Sequence, residues 1–233
     1  MSFSPSEPQL SVIIPAFNET ENVGGVVEES IEHLEKTGLT YEIILVNDGS
    51  TDQTGAVLDR LAAAHPGKVT ALHHANNRGM GAALGTGLDA GRGRILTWIP
   101  SDGQFLLADV LTALPLTQSN DLVIAMRTGV RQSWRIVITS LFHFMVQRMF
   151  RFNPGDICGI FLVTPAIYRR CRPQSENVFF TVELPIRAGH AGLRMGKFEL
   201  PLKDRRAGHS KVSNWRTYLR NLREIFLVWW RTR

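Results

Sequence analysis

The sequence predicts an α/β fold in which helices flank a mostly parallel central sheet. Through the first half of the chain, short apolar runs alternate with longer stretches of helical periodicity. The runs are apolar at consecutive positions, and the first two helical stretches end at glycine or at a proline–glycine pair. Strands that are apolar on both faces are typical of parallel sheets that helices cover on both sides.

The first half has the more regular order of elements. Its predicted strands are short runs rich in Val, Ile and Leu, such as "LSVIIPAF" and "YEIILV". Gly38 ends the first predicted helix, and Pro66–Gly67 end the second. The predicted strands cover 10–17, 41–46, 68–74, 94–99 and 121–126, and the predicted helices cover 21–37, 51–65, 80–91 and 106–114.

The second half is less regular. A helix predicted over 134–150 carries a narrow polar stripe on an otherwise apolar surface, so it is either buried or lies on a membrane. A turn-rich segment over 151–156 and an apolar run over 157–164 follow it, and a second amphipathic helix is predicted near 213–230. Because the sequence contains no linker or repeat, we expect one domain over 1–233.

The charges are unevenly distributed along the chain. Residues 1–121 hold 6 Lys and Arg against 15 Asp and Glu, a net of −9, whereas residues 122–233 hold 20 against 6, a net of +14. The second half therefore predicts a basic surface that faces an anionic partner. Its aromatic residues lie at helical spacing and are not interleaved with the basic ones, so we expect a phospholipid surface and no nucleic acid.

The bulk properties narrow the class of protein. No run reaches the roughly 20 apolar residues that a membrane-spanning helix needs. Cys158 and Cys171 are too few for a disulfide framework, and nothing resembles a secretory signal. We therefore expect a reducing, cytoplasmic setting.

Polar residues follow four of the predicted strands. Because ligands of parallel sheets bind at the carboxyl ends of the strands, we expect these residues to form a site. They are Pro15 to Glu19 after the first strand, Asn47 to Asp52 after the second, Ser101 to Gln104 after the fourth, and Arg127 after the fifth.

Two common nucleotide-binding motifs are missing from these strand ends. "PAFNET" after the first strand has no glycine, whereas a dinucleotide-binding dehydrogenase needs a glycine-rich turn there. A P-loop is absent as well. The later "NRGMGAALGTG" predicts that Gly79, Gly81 and Gly85 let a helix approach the sheet closely, and we interpret His73–His74 as a structural strand end.

Taken together, the motifs resemble those of family 2 glycosyltransferases with a GT-A fold. "VIIPAFNE", "VNDGSTDQT", "NRGMGAALGTGLDAG", "PSDGQF" and "AMR" stand in the family's order, over about residues 10–212. "RRAGHSK" narrows the resemblance to the branch of dolichyl- and polyprenyl-phosphate mannosyl- or glucosyltransferases. The resemblance implies a nucleotide-sugar-binding half over 8–128 and an acceptor-binding half with a donor-closing segment over 129–212. The amphipathic helix of 213–233 follows.

The resemblance also implies roles on the donor side. Asp102 and Gln104 match the metal-binding end of the family's D-x-D-x-Q pattern, so they are expected to hold Mg²⁺ or Mn²⁺, and Ser101 and Asp102 are expected to bind the donor. The positions that match contacts to the base and ribose of a nucleotide-sugar are Pro15, Phe17, Glu19, Val46 and Asp48. The positions that match contacts to its diphosphate are Arg205, Ser210 and Lys211.

On the acceptor side, Arg127 and Arg135 match two arginines that grip the acceptor's phosphate, and Thr139 stands where a serine is usual. The expected reaction is inverting transfer of mannose or glucose, with GDP-mannose favoured over UDP-glucose, to a polyprenyl or dolichyl phosphate. A phosphate monoester is largely dianionic at neutral pH, so it needs no strong protein base, and Asp102, Arg127 and Arg135 are the expected catalytic residues. We expect a peripheral location on the cytoplasmic membrane face and leave open a separate membrane subunit.

The chain departs from the family pattern at several positions. Pro100 replaces the first carboxylate of the usual D-A-D, Asn47 replaces an aspartate, and the segment from Asp156 to Phe161 is one residue short of the family's pattern. Two alternatives therefore stay open. One is a catalytically weakened regulator that binds a nucleotide-sugar, and the other is a glycosyltransferase that uses a saccharide acceptor.

Overall fold

The structure is a computed structural model that describes residues 7–128, 144–153, 155, 157–202 and 223–230. In chain order, its strands are β1 (Leu10–Ala16), β2 (Tyr41–Asn47), β3 (Val69–His73), β4 (Ile95–Trp98), β5 (Leu122–Thr128), β6 (Ile157–Val163) and β7 (Met195–Pro201). The helices are α1 (Val23–Thr37), α2 (Thr54–Ala64), α3 (Met80–Ala90), α4 (Leu107–Leu111), α5 (144–150), α6 (Pro165–Arg170), α7 (Phe180–His190) and α8 (223–230).

The strands form one mostly parallel sheet, as the sequence predicts. Their order is β3-β2-β1-β4-β6-β5-β7 among the described residues. β6 runs antiparallel to both of its neighbours, β4 and β5, while the other neighbouring pairs are parallel. The carboxyl ends of β1 to β5 therefore meet at one edge of the sheet, and β6 begins at that edge.

The sequence explains the local structure of the first half. β1 is buried at every position, which agrees with its uninterrupted apolar pattern. α1 buries Val23, Val27 and Leu34 and ends at Gly38, which adopts a left-handed conformation with φ of 70°. Glycine takes this conformation at no steric cost, so the predicted end of the helix is the observed one.

Some predicted elements differ from the observed ones. The helix predicted over 106–114 is shorter in the structure: α4 covers Leu107–Leu111, and a 3-10 helix over Leu114–Gln118 follows. Pro115 at the start of that second element has no backbone N–H to continue an α-helix. The helices predicted over 134–150 and 213–230 are helical at 144–150 and 223–230, and their remaining residues lie outside the described ones.

α5 and α8 share a small hydrophobic core beside α7. Its buried members are Val146, Phe150, Phe179, Ile186, Ile225 and Val228. The larger core lies between the sheet and its flanking helices, with buried members on α1, α2, α3, α4, α6 and α7. No helix in the described ranges combines the length and apolar character that crossing a bilayer requires.

Candidate functional site at the carboxyl edge of the sheet

The segments that follow β1 and β2 are hydrogen-bonded to each other. Asn18 donates its backbone N–H to Ser50 Oγ at 3.0 Å and accepts the N–H of Thr51 on Oδ1 at 2.8 Å. The N–H of Glu19 donates to Thr54 Oγ1 at 2.8 Å. Asn18 has a φ of 52°, which its short polar side chain tolerates better than most residues do. These bonds fix two of the predicted polar segments side by side.

The predicted donor residues of β1 and β2 take different positions. Pro15 and Val46 are register partners in neighbouring strands, and the Val46 side chain packs toward α3 at Gly87. Phe17 is half-buried at the edge. The Glu19 carboxylate is buried and accepts a hydrogen bond from Asn22 Nδ2 at 2.7 Å. Phe17 and Glu19 therefore lie at the predicted edge, while the Val46 side chain lies in the core.

Asp48 organises the loop that connects β3 to α3. Its carboxylate is 3% exposed and accepts the backbone N–H groups of Arg78 at 2.9 Å and Gly79 at 2.8 Å. It also lies 2.7 Å from Nδ1 of His74, whose Nε2 lies 2.9 Å from Thr86 Oγ1. The carboxylate thus ties the loop of 74–79 to the end of β2.

His74, Arg78 and Gly79 do not appear among the sequence-predicted site residues. His74 follows β3 directly, at the same edge as the other polar strand ends, and this position was the available signal. Gly79 and Gly81 contact the backbone of 175–177, whereas Gly87 is the glycine that lets α3 approach the sheet at Ile13. A Cβ atom on Gly85 would lie 3.8 Å from the Phe180 ring of α7, so the predicted role of Gly79, Gly81 and Gly85 in helix–sheet packing is wrong.

The turn after β4 carries the predicted metal-binding residues. Ser101 and Asp102 are buried, with Asp102 8% exposed, and Asp102 Oδ1 accepts the N–H of Gln104 at 3.1 Å. Gly103, with φ of 74°, makes this tight turn. In the described part of the chain, no three His, Cys, Asp or Glu side chains cluster into a metal cage. The turn therefore offers one carboxylate and one amide as oxygen donors.

Arg127 lies at the same edge but farther along the sheet. It is half-buried on β5, which is separated from β4 by the antiparallel strand β6. Burial raises the pKa of the neighbouring Cys158 thiol, while the charge of Arg127 partly opposes that shift. The other predicted phosphate-binding residues, Arg135, Thr139, Arg205, Ser210 and Lys211, lie outside the described residues, as does Asp156.

A separate pocket of about 320 Å³ lies between α3 and the segment 172–176. Tyr168 lines it, and its hydroxyl is buried without a hydrogen-bond partner among the described residues. Burial, assisted by the nearby Asp89 carboxylate, raises the pKa of Tyr168 far above its ordinary value. None of the sequence-predicted site residues lines this pocket.

The fold is that of a GT-A glycosyltransferase, and the predicted fold class is confirmed. The crystal structure of glucosyl-3-phosphoglycerate synthase from Mycobacterium tuberculosis, in complex with Mn²⁺, uridine diphosphate and phosphoglyceric acid, superposes with a TM-score of 0.67 at 18% identity. The superposition covers 94% of this chain and 78% of that one. At this identity, the likeness concerns the fold alone.

The family follows from the sequence comparison. The model of glycosyl transferase family 2 matches residues 11–180, so the chain belongs to this family, as its motifs predict. The polyprenol monophosphomannose synthase of Mycolicibacterium smegmatis is 30% identical over 223 residues, covering 87% of this chain and 80% of that protein. The dolichyl-phosphate beta-glucosyltransferase ALG5C of Trichomonas vaginalis is 35% identical over 106 residues, which is 43% of this chain and 31% of that protein.

Proposed function

We propose that this protein transfers a hexose from a nucleoside diphosphate sugar to a polyprenyl phosphate, with inversion at the anomeric carbon. The observation that carries the proposal is the position of Asp102. This buried carboxylate follows β4, the neighbour of β1, at the edge where the interlocked segments after β1 and β2 also lie. The names of the two sequence relatives, one a glucosyltransferase and one a mannose synthase, support the substrate classes.

The metal in the proposal is Mg²⁺ or Mn²⁺, held by Asp102 and Gln104. The oxygen donors of one turn fit an ion that keeps several water or phosphate ligands, and the described residues offer no larger cage. When bound, such an ion supplies Lewis-acid stabilisation to the departing nucleoside diphosphate. Arg205, Ser210 and Lys211 are the further diphosphate contacts that the family resemblance suggests, and Ser101 is a further donor-binding residue beside the metal.

The acceptor phosphate supplies the nucleophile in the proposed reaction. One of its oxygens forms a bond to the anomeric carbon while the bond from that carbon to the diphosphate breaks, and the electron pair leaves with the nucleoside diphosphate. Arg127, with Arg135 and Thr139, positions the phosphate, and positioning with charge stabilisation then supplies most of the catalysis. For the donor we propose GDP-mannose, with UDP-glucose as the alternative that the test must separate.

We further propose that the protein works on the cytoplasmic face of a membrane, where its lipid acceptor would be found. Phe226, Leu227 and Trp230 are exposed and share one face of α8 by their spacing, while Ile225 and Val228 on another face are buried. This exposed apolar face belongs to the basic half of the chain. Apolar and basic groups together favour binding to anionic phospholipid. A separate membrane subunit remains a second candidate partner.

The test is a donor screen with the purified protein. GDP-mannose and UDP-glucose are supplied separately with a short polyprenyl phosphate and Mg²⁺ or Mn²⁺, and the lipid-linked sugar is followed. We expect metal-dependent product with one donor, and we expect Asp102→Asn to lower kcat/KM at least about a hundredfold, because the metal loses its carboxylate.

Asp59→Asn is the matched control, because Asp59 is an exposed carboxylate on α2 that pairs with His73. It should leave kcat/KM close to that of the wild type. Donor binding without product under either metal would overturn the transfer reaction and favour a nucleotide-sugar-binding regulator.

A further inference from the structure

The last described helix, α8, is attached to a turn in the middle of the second half. The Glu224 carboxylate accepts the N–H of Glu176 at 3.2 Å, the N–H of Asn177 at 3.3 Å and the side-chain amide of Asn177 at 2.6 Å. One carboxylate thus fixes two consecutive backbone groups. Charge-assisted hydrogen bonds of this kind are stronger than neutral ones.

The same turn holds the beginning of α3. The carbonyl oxygen of Glu176 accepts the N–H of Ala82 at 3.0 Å. A Cβ atom on Gly79 would lie 2.4 Å from that carbonyl oxygen, and one on Gly81 would lie 2.6 Å from the carbonyl oxygens of Ser175 and Asn177. The two backbones therefore touch directly, with no side chain between them to absorb a displacement.

The start of α3 leads back to the site. Gly79 and its neighbour Arg78 donate their N–H groups to Asp48, the buried carboxylate at the end of β2. On the other side of the turn, Glu183 is fully buried and accepts the N–H groups of Gln174 and Ser175 at 3.0 and 2.9 Å. The turn is thus held by Glu183 from α7 and by Glu224 from α8, and its backbone contacts the start of α3, next to the loop that Asp48 holds.

We propose that Glu224 is a positioning residue. By holding α8 against the 174–177 turn, it fixes the conformation of the loop of 74–79 and thereby the affinity of the site for nucleotide. The hydrogen bonds of Glu224 described above go to Glu176 and Asn177 and not to Asp48 or the strand ends. Glu224 therefore acts on the loop through the backbone of Glu176, Asn177 and Gly79. The part of this proposal that concerns nucleotide affinity rests on the proposed function. The part that concerns the loop does not.

Two measurements on the full chain separate these parts. The first is amide hydrogen exchange over 75–84 without nucleotide. Glu224→Ala should accelerate exchange there by at least about tenfold, since it removes charge-assisted hydrogen bonds from a contact that supports Gly79 and Ala82. Glu224→Gln keeps one acceptor oxygen and should give an intermediate rate. Glu199→Gln, an exposed carboxylate on β7, is the charge-matched control and should leave exchange unchanged.

The second measurement is binding of UDP and GDP with Mn²⁺ by calorimetry. The dissociation constant of the nucleotide that the wild type binds should rise about tenfold in Glu224→Ala and less in Glu224→Gln. Unchanged exchange over 75–84 in a variant with a lowered melting temperature would overturn the proposal, because Glu224 would then only attach α8. If the wild type binds neither nucleotide, the proposed function fails, and the exchange measurement still decides the coupling.

Discussion

Asp48 accepts its three hydrogen bonds from residues 26 to 31 positions later in the chain. The sequence predicts that this carboxylate contacts the donor nucleotide, since it follows a strand in a motif typical of the family. In the structure it is enclosed by His74, Arg78 and Gly79, and it shapes the loop beside the site. Because Asp48 is buried, replacing one of its acceptor oxygens by a hydrogen-bond donor should lower the stability of the protein.

Asp48→Asn should therefore destabilise the protein by at least about 2 kcal/mol, because the amide NH₂ would replace one carboxylate oxygen and leave the N–H of Gly79 or that of Arg78 without an acceptor. The free energy of unfolding from guanidinium titration measures the effect. Asp59→Asn is the control, because Asp59 is an exposed carboxylate on α2 that pairs with His73 at the surface. Equal stabilities of the two variants would contradict the structural role of Asp48.

At the scale of elements, the contact between β6 and α7 depends on the absence of one side chain. Gly159 on β6 has a φ of 91°, and a Cβ atom there would lie 2.7 Å from Thr181 Oγ1 and 3.0 Å from Thr181 Cβ. The carbonyl oxygen of Gly159 also accepts the indole N–H of Trp98 on β4 at 3.0 Å. Gly159 thus brings β4, β6 and α7 together at one point.

Gly159→Ala should cost about 3 kcal/mol or more, because it adds overpacking against Thr181 to the strain of a left-handed conformation. Gly38→Ala isolates the strain: Gly38 has a φ of 70° and no atom within 4 Å of its Cβ position, so about 1 kcal/mol is expected. Thermal or chemical unfolding measures both variants. Thr181→Ala, introduced together with Gly159→Ala, should recover part of the loss, and no recovery would exclude this contact as the cause.

At the scale of the whole molecule, the acidic and basic halves of the chain contribute different elements of the structure. The acidic first half contributes β1 to β4, and the basic second half contributes α5 and α8 with their small core. Phe226 and Trp230 on α8 are 55% and 70% exposed. Large exposed aromatic side chains beside basic residues are typical of surfaces that bind a membrane.

The double substitution Phe226→Ser with Trp230→Ser should weaken binding to vesicles that contain anionic phospholipid by at least about tenfold, because less apolar area enters the lipid. Sedimentation with vesicles at low and high salt measures it. Leu202→Ser, at a 40% exposed residue after β7, is the control and should bind like the wild type. Equal binding to purely zwitterionic vesicles would contradict the electrostatic part of the membrane proposal.

Whether the sequence predicts a structural feature depends on how far apart in the chain the interacting residues lie. The buried parallel strands follow from consecutive apolar residues, and the end of α1 follows from Gly38, since both are local signals. The direction of β6 does not follow, because the apolar run of 157–164 reads the same for a parallel and an antiparallel strand. Contacts such as Glu224 with Asn177, which lie 47 positions apart, leave no local pattern at all.

The position of β6 also bears on how the chain assembles during synthesis. β5 pairs with β6 and β7, both of which follow it in the chain, and no pairing with an earlier strand is found in the described sheet. When residues up to 128 have left the ribosome, β1 to β4 can already pair with one another. At that stage β4 has an unpaired edge, and β5 has no strand to pair with. β6 then joins both at once, by inserting between them. Until residue 163 has emerged, the edge of β4 is accessible to other chains, and an unpaired strand edge exposes the nascent protein to aggregation during this interval.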